Sequence, residues 1–484
     1  MNNRQKLNAL GLQIPDILLP LAARNSQRQS DLAKWPVIAC DQFTQDRGYW
    51  EKVKAAADGS PSTLNLILPE VFLNDDNAAR RITDIHSNMK RYLKDDVFAP
   101  LRQGFIYIER DTPYQKKRRG LIAAIDLEKY DWHPDARPLI RCTEGTVPER
   151  LPPRMDIRRG APLELPHVLL LIDDETDRLL STLGERVKND TRGGPCYSTP
   201  LMMDSGHITG WFIDSEDDIS FIAEKLDELR SRSVNRYAQT APVDSLHPAG
   251  ASHPSDVSYL SDTFLFAVGD GNHSLAAAKG IWDEYKNNTV NPRPDHPLRY
   301  ALVEIENIYD PAIQFEPIHR LVFGIGFDGI ISLLSNGTSS AKLPDFSCEY
   351  FDNRQNLSKA VFENGSGQSA GNCYGVISEG RYALIKTSAS GIATSCLQPL
   401  LDEYLVDYIH DEDELSRLSD KNYKTAEESI DINNGERVCG ILLPPVLKSG
   451  LFQTVARTGP LPRKSFSMGH SCEKRFYFEC RSLF

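Results

Sequence analysis

FLFAVGDGNHSLAAAKG, residues 264–280, decides the fold class. An apolar run breaks at Gly269-Asp270-Gly271 and a helix-forming run begins straight after Ser274, which is the pattern of a buried strand turning sharply into a helix. The two glycines permit positive φ and close backbone approach. Amides at a helix N-terminus, with the macrodipole, favour an anion such as a phosphate. Asp270, Gly271, Asn272, His273 and Ser274 would surround it. The same residues read equally well as a plain helix start, with Asn272 or Ser274 as cap and Asp270 ordering the turn. The stretch matches neither the P-loop pattern nor GxGxxG, so neither of those cofactor readings follows.

Outward from this turn the chain reads as mixed α/β. VLLLIDD (168–174) and ALVEIENI (301–308) are further buried strands, and DRLLSTLGERVK (177–188) is an amphipathic helix. Upstream, WPVIACDQFT (35–44) predicts a strand that delivers Asp41 to its end, and 62–68 a second short strand. Residues 77–95 carry helical periodicity, and 104–110 with 119–127 alternate as a hairpin. The 484 residues exceed the ~250–300 at which a single core stops growing. Two lobes are expected, 1–239 and 259–484, separated by the Pro- and Ser-rich segment 240–258 as a surface loop or insertion. His247 and His253 in that segment are read as incidental.

The net charge of −12 argues against a nucleic-acid partner, which needs a Lys/Arg surplus. The apolar stretches fall short of the ~20 residues that span a bilayer, and the opening residues are too weakly apolar for a secretory signal. A cytoplasmic protein without a membrane partner is the expectation. Nine scattered cysteines without a CxxC pair indicate neither a disulfide framework nor a zinc knuckle. No HExxH spacing occurs, so no permanent metal is expected.

Two basic segments accompany the turn. RCTEGTVPERLPPRMDIRRGAPLELPH (141–167) contains Arg141, Glu144, Arg150, Arg154, Arg158 and Arg159. Its prolines and glycines exclude a long helix and predict an ordered loop. Guanidinium forks suit carboxylate and phosphate oxygens, although any one of these arginines is as readily paired with a surface acid. LPRKSFSMG (461–469) offers Arg463, Lys464, Ser465 and Ser467 as a further phosphate clamp or an exposed basic loop. Asp41, His167, His207, Glu316 and His319 flank apolar strands and either face a cleft or satisfy core hydrogen bonds. A divalent ion carried with phosphate would fall to Asp270 or Asp41.

The motifs WPVIACDQFT, PSTLNLILPE, RCTEGTVPERLPPR, RGAPLELPH, FAVGDGNHSLAAAK, FEPIHR and LPRKSFSMG together resemble the domain-of-unknown-function 1015 family. Many relatives carry Asp-Gly-His-His-Arg at the central turn, where this chain has Asp270-Gly271-Asn272-His273-Ser274, a form associated with one branch. The turn is also similar to that of the ParB and sulfiredoxin proteins, a group that includes free serine kinases, so a ParB/sulfiredoxin-like core enlarged into two lobes is implied. The resemblance implies a pyrophosphate-dependent kinase of free L-serine that makes O-phospho-L-serine with Mg2+ carried by the donor. An ATP- or ADP-dependent kinase of serine or another small alcohol, and a non-enzymatic ParB-like nucleotide sensor, are the alternatives. On this reading Asp41, Asp270 and His273 are catalytic, with Asp270 also the magnesium ligand. Gly271, Asn272, His273, Ser274, Arg154, Lys464 and Ser465 hold donor phosphate, and Glu144, Arg150, Arg158 and His319 bind the acceptor.

Overall fold

The computed structural model describes residues 2–24, 29–44, 46–115, 117–190, 193–237, 263–339, 341–365, 371–389, 391–419 and 437–484; the segment 240–258 lies outside them. The chain is mixed α/β and divides into two compact units, Met1–Gln314 with Met468–Phe484, and Phe315–Ser467. The division therefore falls near 314 and 467 rather than within 240–258, because strands from both sides of 240–258 share one sheet.

That sheet, in the first unit, has ten described strands: β1 (Leu12–Gln13), β2 (Phe105–Asp111), β3 (Arg118–Asp126), β4 (Tyr130–Asp131), β5 (Ile140–Cys142), β6 (Leu169–Ile172), β7 (Tyr197–Pro200), β8 (His207–Ile213), β9 (Phe266–Asp270) and β10 (Tyr300–Asn307). Their order is β7-β8-β2-β3-β10-β6-β9-β5-β4, with β1 beside β3. Strands β2 and β3 form the expected antiparallel hairpin. Strand β9 lies antiparallel to β6 and parallel to β5, while β6 is parallel to β10. Central strands of this kind are covered on both faces, which is why Leu169–Ile172 is uninterruptedly apolar and buried.

The helices that frame the site are α1 (Ala78–Lys94), α2 (Leu151–Arg158), α3 (Leu180–Asn189), α4 (Glu216–Tyr237) and α5 (Asn272–Asn288). Helix α2 lies inside the arginine-rich segment expected to be a loop. Its prolines occupy the first turn, where the missing N–H has no intrahelical acceptor to lose. The expected strand at 62–68 is a 3-10 turn, Thr63–Leu66, started by Ser62, whose hydroxyl accepts from the Leu64 amide.

One face of β10 carries Glu304 and Glu306, both buried, and Gly120 on β3 leaves room for them: a Cβ there would stand 2.4 Å from a Glu304 oxygen. These acids face arginines. Arg118 Nε lies 2.8 Å from Glu306, and Arg475 Nε lies 3.0 Å from Glu304 and also pairs with Glu479. Arg110 donates to the carbonyls of Cys472 (2.7 Å), Glu473 (3.0 Å) and Lys474, and Arg118 also donates to Glu473 O at 2.7 Å. The final segment of the chain is thereby fastened to the sheet by buried charge-assisted hydrogen bonds. It continues as Phe476–Tyr477, paired with Val37–Ile38, and Arg481–Ser482, paired with Leu163–Glu164.

The described residues of the second unit hold a six-stranded antiparallel sheet: β11 (His319–Phe323), β12 (Ser347–Phe351), β13 (Asn372–Ser378), β14 (Arg381–Thr387), β15 (Val406–Ile409) and β16 (Val438–Leu442), in the order β12-β14-β13-β16-β11-β15. Alternate residues feed two cores: Tyr374 and Val376 of β13 pack into one, Cys373 and Ile377 into the other. Helices Phe327–Asn336 and Ala393–Leu401 line the first core, and Arg354–Gly365 and Glu412–Leu418 the second.

Candidate active site

The strand-to-helix turn forms as its residues require. Gly271, between β9 and α5, has φ 83, a left-handed conformation that side chains resist. The first intrahelical bond runs from Leu275 N to Gly271 O at 3.0 Å. The amides of the first turn ahead of it have no acceptor within the helix. At Gly269 the backbone is approached so closely that a Cβ would lie 2.4 Å from Met468 Sδ. The first turn of α5 also contains a buried polar atom, Asn272 Oδ1, and the neighbouring segment another, Thr146 Oγ1. Neither has a hydrogen-bond partner among the described residues.

Three arms converge on the turn. The first is Cys40-Asp41, one residue beyond Val37–Ile38. Asp41 accepts from the Gln42 side chain at 3.1 Å. Burial pushes its carboxyl up, but the nearby His167, the Gln42 bond and Lys474 together hold it below the ordinary aspartate value. The second arm is Glu70, whose amide donates to Cys40 O at 2.8 Å. Its carboxylate is paired with Arg154 and lies 3.7 Å from Arg150, one helical turn apart in sequence. Burial raises Glu70 above the ordinary glutamate value despite Arg154, and the charge on Asp41 adds to the rise. Two neighbouring carboxyls pushed in opposite directions are a familiar arrangement for proton transfer.

The third arm is the C-terminal segment. Lys474, almost fully buried, places Nζ 3.3 Å from Asp270 Oδ2, while Asp270 Oδ1 accepts from the Gly271 amide at 3.0 Å. Tyr477 Oη lies 2.9 Å from His167 Nδ1, and His167 Nε2 lies 2.8 Å from Ser274 Oγ. Tyr477 also donates to Cys40 Sγ at 3.0 Å. His273 Nε2 accepts from Val147 N at 3.2 Å, tying the arginine-rich segment to α5.

Of the residues singled out in the sequence, Asp41, Arg150, Arg154, Asp270, Gly271, Asn272, His273 and Ser274 belong to this linked set. His167, there a residue of either role, joins them. Glu144 lies partly buried between β5 and α2. Arg158 is drawn elsewhere, 2.6 Å from Glu164, which Arg481 also binds at 2.5 Å. Arg141 lies over the Phe264 ring, and Arg159 bonds to Asp156 and Glu284. Lys464, Ser465 and His319 belong to the second unit. There the buried Ser465 hydroxyl donates to Pro462 O and meets Thr394 Oγ1 at 2.8 Å. His319 Nδ1 accepts from Leu443 N at 3.1 Å, and burial with Arg320 nearby pushes the imidazole down to about 4. Glu70, Lys474 and Tyr477 are additions that single-residue reading missed. Glu70 ends the motif PSTLNLILPE, and Lys474 begins the aromatic-rich run KRFYF.

Among the described residues no three His, Cys, Asp or Glu side chains are grouped as a metal site. Asp270, the expected magnesium ligand, has both oxygens engaged, by Lys474 and by the Gly271 amide. No helix among the described residues is long and apolar enough to cross a membrane.

Comparison with solved structures finds distant likenesses. A free serine kinase in complex with AMP has TM-score 0.34 and 10% identity, covering 77% of this chain and 95% of that one. A conserved hypothetical protein from Pyrococcus furiosus has TM-score 0.32 and 10% identity, covering 75% and 94%. SbnI with a C-terminal truncation, from Staphylococcus aureus, has TM-score 0.30 and 8% identity, covering 72% and 82%. No curated protein matches the chain significantly. The family model described as protein of unknown function (DUF1015) matches residues 18–403. With well over half of its length matched, the chain belongs to the DUF1015 family.

Proposed function

We propose that this protein is a small-molecule phosphotransferase that moves a phosphoryl group from pyrophosphate to the hydroxyl of free L-serine, giving O-phospho-L-serine. The observation that carries the reading is the joining, at one glycine-flexed helix start, of a buried lysine (Lys474 on Asp270) with two oppositely shifted carboxyls (Asp41 and Glu70). Phosphoryl transfer depends on positioning and charge stabilisation more than on covalent assistance from the protein, and these groups supply both. The first-turn amides of α5 and Lys474 hold the donor phosphates, and Arg150 and Arg154 add positive charge at Glu70. Asp41, kept ionised, takes the acceptor's proton. The choice of pyrophosphate and L-serine rests on the motif resemblance. Magnesium would arrive with the donor.

The test is to incubate the full chain with magnesium and L-serine, offer pyrophosphate, ATP or ADP in turn, and look for phosphoserine by mass spectrometry. Product with pyrophosphate alone is the expected result. Product only with ATP or ADP would reassign the donor, and no product with any of them would refute the serine-kinase reading.

A further inference from the structure

Ser274, His167, Tyr477 and Cys40 form one hydrogen-bonded line. The Tyr477 hydroxyl has one proton and donates it to Cys40 Sγ at 3.0 Å. Its oxygen accepts from Cys40 N at 3.3 Å and has one lone pair left for His167 Nδ1, 2.9 Å away. In the tautomer with the ring proton on Nδ1, which these bonds accommodate, Nε2 presents its lone pair to Ser274 Oγ at 2.8 Å. A serine hydroxyl bonded to an imidazole whose far nitrogen is held by a third group is the arrangement that activates a nucleophile. Neither Ser274 nor His167 is fully buried.

We propose that Ser274 is a covalent nucleophile, phosphorylated by the donor before the acceptor is phosphorylated. This deepens the phosphotransferase reading and rests on it for the donor. In the first step the bond from Ser274 Oγ to the terminal phosphorus of pyrophosphate forms, the bond from that phosphorus to the bridging oxygen breaks, and inorganic phosphate leaves. The Ser274 proton moves to His167 Nε2. In the second step the acceptor oxygen bonds to phosphorus, the Oγ–P bond breaks, His167 returns its proton to Oγ, and the acceptor's proton passes to a carboxylate and then to water. No electrons are exchanged, and the leaving phosphate and one released proton balance the sum.

The surroundings favour this route over a serine that only caps the helix. Ser274 is the third residue of α5, so a phosphoryl group on it would sit over the first-turn amides at the positive end of the helix, where phosphoserine is stabilised. Asp41 is close enough to His167 for the imidazole to contribute to holding the Asp41 carboxyl low.

The experiment is acceptor-free incubation of the full chain with magnesium and pyrophosphate, ATP or ADP, followed by acid quench, intact-mass measurement and peptide mapping, alongside turnover with L-serine. The expected result is one added phosphoryl group on Ser274, discharged when L-serine is added, absent from Ser274→Ala and slowed ~100- to 10,000-fold in His167→Gln. Ser274→Thr, which keeps a hydroxyl, should retain the adduct, and thermal melts of all three variants separate loss of chemistry from loss of fold. Turnover of Ser274→Ala at the wild-type rate, or no adduct with a donor that supports turnover, overturns the covalent step and leaves the kinase reading standing. An adduct on Ser274 that L-serine does not discharge supports the nucleophile and refutes L-serine as acceptor. Neither adduct nor product with any donor overturns both.

Discussion

Lys474 Nζ lies 3.3 Å from Asp270 Oδ2, so the cation paired with the turn between β9 and α5 comes from the C-terminal segment and not from the arginine-rich region. Arg110, Arg118 and Arg475 fix that segment to the sheet. The cation is thus pre-positioned, and in the proposed phosphotransferase it would stabilise charge developing in the transition state without rearrangement.

Replacing Lys474 with Met should lower turnover of the phosphoryl transfer by ~100- to 1,000-fold. The double variant Lys474→Met with Asp270→Asn removes the carboxylate left without its cation. It should recover the melting temperature of the wild type but not its rate. Steady-state kinetics with thermal melts of both variants check this, and recovery of rate in the double variant would remove Lys474 from the chemistry.

Gly271→Ala forces a side chain into φ 83 with a Cβ 3.0 Å from Val168 Cγ2. The left-handed conformation alone costs about 1–2 kcal/mol. Gly160, with φ 74 and nothing within 4 Å of a built Cβ, is the control: Gly160→Ala should show only the conformational cost. Denaturant melts should rank Gly271→Ala as the less stable, and only Gly271→Ala should lose donor affinity.

Arg158 and Arg154 lie one helical turn apart but have different partners. Arg158→Met leaves buried Glu164 with Arg481 and the Leu302 amide, so it should lower stability by less than the ~3–5 kcal/mol of a fully broken buried pair and leave kcat unchanged. Arg154→Met releases Glu70 and should reduce activity. Equal kinetic damage from both would return Arg158 to the acceptor site.

Asp41 and Glu70 should give opposite pH signatures. The Asp41 carboxyl is held low, so the stability it contributes is present above the ordinary aspartate pKa and is lost as pH falls through its lowered value. Glu70 is raised, so stability is highest while it is protonated and declines as pH rises from the ordinary glutamate pKa through the raised one. Melting temperature against pH should show a shallower acid limb in Asp41→Asn. In Glu70→Gln the decline toward neutral pH should be reduced.

Local pattern determined much of this protein. Gly269-Asp270-Gly271 followed by a helix-forming run needs no distant partner to specify a strand, a left-handed residue and a helix start, because glycine's freedom and helix propensity act within a few residues. The β2–β3 hairpin, β6, β10 and α1 were legible for the same reason: their apolar periodicity is local. Tertiary structure alone decided which charges face the turn. Arg154 and Arg158 are alike in sequence, yet one is opposite Glu70 and the other opposite Glu164, since the partner of a long side chain is set by packing of distant segments. Lys474 and Tyr477 lie beside Asp270 and His167 only because buried arginines and the pairing of Phe476–Tyr477 with Val37–Ile38 bring the chain's end back to its beginning. Interactions between residues so far apart in the chain leave no periodic trace in the sequence.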